Sequence, residues 1–173
     1  NSNAYAISGI INVANNLHLT DGVFYGKAVI NVGGNVTVSD TFGVGADVDL
    51  NHAFNADIVL NGSGTQTISG ATGRLPSVRI KSTGTVNLST DINIVTNWQV
   101  VSGTVGINNH KIVWGSNDAQ GTAIPMIFTP GSVSYYDIDV NFTGGNYWNY
   151  YQSTGTTTVT RNLNLTAGKF TGG

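Results

Sequence analysis

Internal repetition is the feature of this chain that most constrains its fold. Residues 16–24, 97–105 and 162–170 share one pattern: Asn, apolar, polar, apolar, any residue, small or Asp, Gly, any residue, apolar. A weaker fourth copy begins at Asn35, 19 residues after Asn16. A step of about 20 residues is a normal length for one coil of a β-solenoid, whereas the architecture of a β-sandwich does not require a repeat of that length.

A longer unit contains these copies. Residues 75–80 followed by 83–86 correspond to residues 136–140 followed by 143–147. Residues 55–117 and 118–173 are therefore predicted to be two copies of a unit of roughly 60 residues, with residues 1–54 as a partial, more divergent copy. We predict one continuous repeat segment over residues 1–173, and we expect it to belong to a larger protein.

Strands, not helices, are predicted throughout the chain. Apolar and polar residues alternate with period two, for example at residues 36–38, 78–80 and 163–165. The chain has 23 Gly, is rich in Asn, Thr and Val, and contains no Glu; Gly, Asn and Thr are poor helix formers. We predict an all-β fold, a parallel β-solenoid of imperfect coils; the alternative is a set of tandem β-sandwich domains, which also alternate and turn often.

Several short motifs resemble the repeats of large bacterial cell-surface, adhesin-like proteins. They are the turn 64–70 (Gly-Thr-Gln-Thr-Ile-Ser-Gly), the strand 75–80 (Leu-Pro-Ser-Val-Arg-Ile), the strand 84–88 (Gly-Thr-Val-Asn-Leu) and the turn 97–104 that begins Asn-Trp. The resemblance covers residues 55–173 well and the first third of the chain poorly. It implies an extracellular β-rich repeat with a spacer or attachment role and no catalytic residues. Phage fibre proteins contain similar repeats.

Composition excludes several classes of function. Only 9% of the residues are charged and the formal net charge is -2, so nucleic acid is not an expected partner, because phosphate binding needs clustered Lys and Arg. The absence of Cys removes disulfides, thiolate metal sites and thiol nucleophiles. No run of about 18 apolar residues occurs, so this segment is not expected to insert into a membrane.

Candidate chemistry in the sequence is sparse. His18, His52 and His110 have no partners at metal-ligand spacing. Asp137 with Asp139 lie two residues apart on one strand face and are weak calcium candidates, as are the aspartates at 47 and 49. Paired carboxylates, or the basic residues 79 and 81, also leave open a carbohydrate-active enzyme on a β-helix. We predict that the chain is not an enzyme and has no cofactor.

Aromatic residues are concentrated between residues 135 and 151. Adjacent pairs such as Tyr135 with Tyr136 must point to opposite faces of a strand, so some of them face outward. Exposed Tyr and Trp beside Asn suit stacking on sugar rings or on a protein partner. The alternative is that the outward rings cover a neighbouring coil or subunit. The candidate ligand-binding residues are Tyr147, Trp148, Tyr150 and Tyr151.

These observations favour a non-enzymatic structural or adhesive segment of an extracellular surface protein or filament. The alternatives are a phage fibre or capsid-surface protein, in a virion, and a carbohydrate-active enzyme. The expected partners are further repeats of the same chain or other copies of it, and a glycan or surface receptor. Residues 163–170 in particular are expected to pair with such a repeat or copy, because a terminal coil leaves backbone groups unpaired.

Overall fold

Strands account for all the regular secondary structure that is described. The computed structural model describes residues 4–43, 56–70, 72–115, 126–141, 150–153, 155–167 and 169–172. The prediction of an all-β chain is confirmed. The strands are Ala4–Ala6 (β1), Gly9–Val13 (β2), Leu17–Leu19 (β3), Val23–Tyr25 (β4), Ala28–Val32 (β5), Val36–Val38 (β6), Asp57–Leu60 (β7), Thr65–Ser69 (β8), Arg74–Leu75 (β9), Ser77–Leu88 (β10), Ile92–Ile94 (β11), Trp98–Gly106 (β12), Lys111–Trp114 (β13), Met126–Thr129 (β14), Ser134–Asn141 (β15), Tyr150–Ser153 (β16), Thr158–Ala167 (β17) and Lys169–Gly172 (β18).

The strands pair in parallel, and each strand lies beside one from a later or earlier part of the chain. Every ladder between the described strands is parallel. Asn12 of β2 contacts Asn31 of β5, 19 residues later, and Arg79 of β10 contacts Gln99 of β12, 20 residues later. The predicted step of about 20 residues is therefore the stacking step of these strands. The step is longer in other ladders: 28 residues between β5 and β7, 32 between β6 and β8, 30 between β12 and β14, and 26 between β13 and β15.

The strands form three sheets. The largest has 11 strands, is curled like half of a barrel, and follows the order β18-β16-β14-β12-β10-β7-β5-β2, with β3, β6 and β8 joined to it through β10. A second sheet has the order β17-β15-β13-β11-β9, and β1 pairs with β4. The described residues contain no helix that is long and apolar enough to cross a membrane. Both predicted sub-repeat boundaries, near residues 54 and 117, lie outside the described residues.

One apolar core runs along the stack of strands. Alternation places one side of each strand inside: in β5, Ala28, Ile30 and Val32 are buried whereas Val29 is exposed. The same side is buried in β11, β13 and β15, and all these residues belong to one cluster that extends from Leu19 to Val140. The core is a consequence of the period-two pattern, because stacking in register brings each buried column of side chains into line.

The Asn that begins the repeated pattern has a structural role. Asn16 Oδ1 accepts a hydrogen bond from the backbone N–H of Asn35 (2.8 Å), and Asn35 Oδ1 accepts one from Thr67 N–H (2.8 Å). Asn97 Oδ1 accepts in the same way from the N–H of Ile127. Each Asn thus satisfies a backbone donor of the strand stacked on it, at a turn where the ladder itself supplies no partner.

Gln66 of the Gly-Thr-Gln-Thr-Ile-Ser-Gly motif occupies another turn, and it is buried. Its Oε1 accepts from the Gly62 N–H (2.9 Å), while its Nε2 donates to the carbonyls of Val32 (3.0 Å) and Gly34 (2.6 Å). Residue 84, on the strand that stacks on this motif, must be glycine, because a Cβ there would overlap the carbonyl oxygen of Gly64. The motif therefore holds successive turns together through buried polar contacts.

A second buried polar chain links two strands and a turn. Trp98 Nε1 donates to the Tyr135 hydroxyl (2.8 Å), and that hydroxyl donates to the carbonyl of Pro130 (2.9 Å). Both rings are fully buried, and burial raises the pKa of Tyr135 far above its ordinary value. The adjacent Tyr136 is on the other face and only half-buried, which confirms that this aromatic pair points to opposite faces.

We expect Tyr135→Phe to lower the free energy of unfolding by about 1–3 kcal/mol, because it leaves a buried donor and a buried acceptor without their partner. Tyr136→Phe is the matched control. It removes a hydroxyl that accepts only from Arg161 Nη1 at the surface (3.1 Å), so its effect should stay within about 0.5 kcal/mol. Equilibrium urea unfolding followed by fluorescence measures both; equal losses would contradict the role given to the Trp98–Tyr135 bond.

Candidate functional site

The paired aspartates predicted from sequence lie together on the outer face of β15, and Asp137 is the more deeply placed. Arg161 of β17 holds Asp137 with two donors: Nε lies 2.8 Å from Oδ1, and Nη2 contacts Oδ2. Asn162 adds its backbone N–H (3.1 Å) and its Nδ2 (3.2 Å) to the same Oδ1. The Arg161 guanidinium also lies over the Tyr136 ring, 4.2 Å from its centroid.

Asp139 is held by the strands on either side of β15. Its Oδ2 lies 2.8 Å from Lys111 Nζ on β13, and its Oδ1 accepts from Asn164 Nδ2 on β17 (2.5 Å). The hydrogen bond to Asp139 raises the pKa of Lys111, although partial burial works against it. The structure therefore connects three neighbouring strands through one carboxylate.

This pairing defines what the two carboxylates can do. The hydrogen bonds from Arg161 are the main reason that the pKa of Asp137 lies below its ordinary value, so the carboxylate is ionised and already neutralised by a cation. A calcium ion at Asp137 and Asp139 would have to displace both Arg161 and Lys111. Within the described ranges no three His or acidic residues come together to hold a metal ion. The calcium site stays a prediction, and the pair at 47 and 49 lies outside those ranges.

The predicted aromatic site is only partly described. Tyr147 and Trp148 lie outside the described residues. Tyr150 and Tyr151 lie on β16, where Tyr151 is in register with Met126 of β14 and Phe170 of β18, but their side chains are not among those described. A ligand contact at Tyr147, Trp148, Tyr150 and Tyr151 therefore stays a prediction.

Asp57, Arg79 and Gln99 form a row of polar side chains on the large sheet, and this row was not identified as a site from the sequence. Arg79 Nη2 lies 2.9 Å from Asp57 Oδ2, and Arg79 Nε donates to Gln99 Oε1 (2.9 Å). Asp57 Oδ1 is buried without a hydrogen-bond partner. Burial raises the pKa of Asp57, and the charges of Arg79 and Lys81 only partly oppose this. The 20-residue step would have placed Gln99 beside Arg79, but nothing in the sequence indicates that Asp57 is half-buried with one carboxylate oxygen shielded from water.

An open groove of about 240 Å³ lies at β3 and β4. Its apolar wall contains Phe24 and Phe42, whose ring centroids are 5.3 Å apart, and its polar rim includes His18 and Asp21. His110 lies elsewhere, with Nδ1 3.6 Å from Asp91 Oδ1, and His52 is outside the described residues. His18 and His110 therefore lie in different parts of the stack.

Comparisons with protein families, with curated proteins and with solved structures give no match for this chain.

We expect Asp137 to make stability depend on acid pH. Because its folded pKa lies below the ordinary value of 3.8, its contribution is present above that value and is lost as the pH falls through the folded pKa. Asp137→Asn should lower the urea midpoint at neutral pH, and the difference from the unmodified protein should shrink below about pH 4. Urea unfolding at a series of pH values measures this; a difference that persists unchanged in acid would contradict it.

Asp57→Asn is the companion variant, for which we expect the opposite dependence of stability on pH. The folded pKa of Asp57 is raised, so the contribution of this carboxyl is greatest below its ordinary value and is lost as the pH rises through the folded pKa. At neutral pH we expect Asp57→Asn to unfold at the same urea concentration as the unmodified protein or at a higher one. A loss as large as that of Asp137→Asn would show that the Arg79 ion pair outweighs the cost of burial.

Proposed function

We propose that this chain is a parallel β-solenoid and that it serves as a non-enzymatic structural or adhesive segment of an extracellular surface protein or filament. The observation that carries the proposal is the stacking step: strands 19 or 20 residues apart lie side by side in parallel, both within residues 4–43 and within residues 72–115. A tandem β-sandwich would pair its strands antiparallel instead.

A stack of this kind provides stiffness along one direction. Successive strands lie about 4.8 Å apart and are joined by backbone hydrogen bonds along the stack, and side chains add further links in the same direction. Arg79 with Asp57, Lys111 with Asp139 and Arg161 with Asp137 each join one strand to the next. The charges of Asp139 and Asp137 are engaged in ion pairs between layers, which supports a structural role over a catalytic one.

The carbohydrate-active enzyme is the alternative that the carboxylates leave open. A hydrolase needs one carboxyl that can donate a proton and another that can act as base or nucleophile. Asp137 is ionised against Arg161, so it is a poor acid, and Asp57 has no second carboxylate among the residues paired with its row. Activity on a polysaccharide panel that disappears in Asp137→Asn or Asp139→Asn would favour the enzyme.

The resemblance to adhesin-like repeats supports a cell-surface owner, with a virion as the alternative. Electron micrographs of cells or particles labelled with an antibody to this chain separate the two.

Further repeats or other copies of the chain are the proposed partners. Leu163 and Leu165 support this, because they continue the buried columns of Ile138 and Val140 yet are 50% and 60% exposed on the outermost strand of their sheet.

Engineered cysteine pairs test the solenoid, since the chain has no Cys of its own. Asn12→Cys with Asn31→Cys should form a disulfide, because neighbouring strands at about 4.8 Å fall within the Cα separation of about 4.4–6.8 Å that a disulfide needs. Asn12→Cys with Arg79→Cys is the matched control, since register places these residues three strands apart. Non-reducing gels and peptide mapping report the bond. Bridging in both pairs, or in the control alone, would refute the stacking.

The adhesive role is tested at the predicted aromatic residues. We expect Trp148→Ser combined with Tyr150→Ser to abolish attachment in a glycan array or a cell-binding assay, and to change the melting temperature little, if these rings contact a ligand. Tyr5→Ser is the control, because Tyr5 is another exposed aromatic residue, at 46% exposure. A large drop in melting temperature would show instead that the two rings support the fold, and the adhesive site would be withdrawn.

A further inference from the structure

The sequence contains one Asn-Gly pair and one Asp-Gly pair, Asn61–Gly62 and Asp21–Gly22. In both, the backbone nitrogen of Gly can attack the side-chain carbonyl carbon of the preceding residue and close a succinimide ring. Glycine permits this because no Cβ hinders the approach. In an unfolded chain the Asn-Gly pair reacts faster, since ammonia leaves more readily than water from an ionised carboxyl. In the folded structure the first residue of each pair is exposed and its Gly is buried, but the two Gly nitrogens have different hydrogen-bond partners.

Both backbone N–H groups of the Asn61–Gly62 pair donate hydrogen bonds. The Gly62 N–H donates to Gln66 Oε1 (2.9 Å), and the Asn61 N–H donates to the carbonyl of Val32 (3.1 Å). The space around Gly62 is closed as well, because a Cβ there would lie 2.5 Å from the carbonyl oxygen of Gly33. Ring closure requires the Gly62 nitrogen to leave Gln66 and turn towards the Asn61 side chain, so it requires this turn to open.

Asp21–Gly22 has the reacting groups already together. The Gly22 nitrogen lies 2.8 Å from Asp21 Oδ1 and donates its hydrogen to that oxygen. The Asp21 side chain is exposed, and Gly22 has a φ of +88°, a conformation that Gly adopts without strain. The nitrogen therefore lies beside the carboxyl group that it attacks, although Gly22 itself is buried.

We propose that Asp21–Gly22 is the site at which the folded protein spontaneously forms isoaspartate, and that Gln66 protects Asn61–Gly62 from deamidation. At Asp21 the Gly22 nitrogen forms a bond to Cγ of the neutral carboxyl group, and the hydroxyl of that carboxyl leaves with the amide proton as water. Hydrolysis of the succinimide at its other carbonyl then returns one water and leaves the main chain running through Cβ and Cγ. At Asn61 the same attack would release ammonia, and one water would open the ring.

The isomerised turn would carry one additional main-chain carbon between Asp21 and Gly22. Two contacts depend on that turn: the Gly43 N–H donates to the Gly22 carbonyl (2.7 Å), and Gly22 forms a parallel bridge with Phe42. We expect both to be lost. The strands from β7 onward do not contact Gly22 in the sheet order, so their pairing should persist in the modified protein.

Incubation of the whole chain with and without concentrated urea tests the proposal, at mildly alkaline pH for the reaction at Asn61 and at mildly acidic pH for the reaction at Asp21. Peptide mapping by mass spectrometry gives deamidation at Asn61, and chromatographic separation of the isomeric peptides gives isoaspartate at Asp21. We expect folding to slow the reaction at Asn61 by about tenfold or more, because it needs local opening, and to change the rate at Asp21 by less than about threefold. Equal slowing at the two sites, or none at Asn61, would overturn the proposal.

Gln66→Met tests the protecting contact itself, since it removes the acceptor of the Gly62 N–H and keeps the side chain long and unbranched. We expect Asn61 to deamidate at least several times faster in the folded variant, with the rate at Asp21 unchanged. Ser82→Ala is the matched control: Ser82 Oγ donates to the carbonyl of Gly62 (2.7 Å), so this variant loosens the same turn without freeing its nitrogen. Should Gln66→Met fail to fold, the comparison with and without urea decides alone; equal acceleration in both variants would refute a specific role for Gln66.

Discussion

Parallel stacking of each strand on strands from the neighbouring layers is the constraint on which the rest of this structure depends. Each strand obtains its backbone hydrogen bonds from the strand one step before it and the strand one step after it, so no layer is complete alone. At the turns the backbone leaves the ladder, and side chains must then supply the missing partners. Asn16, Asn35 and Asn97 do so at one turn and Gln66 at another. The Asn that begins each copy of the repeated sequence pattern meets this requirement.

The same constraint governs the few charged residues. On a stack, a charged side chain on an outer face has its nearest neighbours in the adjacent strands, about 4.8 Å away, not along its own strand. Asp57, Asp137 and Asp139 each find a cation there. Their environments nevertheless differ: hydrogen bonds to Arg161 stabilise the ionised form of Asp137, whereas burial disfavours that of Asp57. Similar carboxylates on similar strands thus contribute to stability with opposite dependence on pH.

Several properties of the fold could be predicted because they depend on pattern alone. Period-two alternation indicated which side of β5 and β10 is buried. In β15 it separated Tyr135 from Tyr136 but would have placed Tyr136 on the side of Ile138, whereas a register irregularity after Tyr135 buries Tyr135 there instead. Residues such as Asp57 could not be recognised, since its raised pKa comes from atoms brought over it by distant parts of the chain. The pairing of Asp137 with Arg161, 24 residues away, also depends on a step that has lengthened beyond 20, which no local spacing reveals.

The sequence by itself determined that this chain is built of strands, that its layers repeat about every 20 residues, and that it lacks the charge and the thiols for several kinds of chemistry. These properties follow from composition and periodicity, which need no knowledge of distant contacts. Only the tertiary structure decided that Gln66 shields Gly62, and that Asp137 and Asp139 are neutralised by Arg161 and Lys111. The physical reason is that hydrogen bonds, burial and ion pairing are set by neighbours in space, and in a stacked sheet those neighbours are a full layer away along the chain.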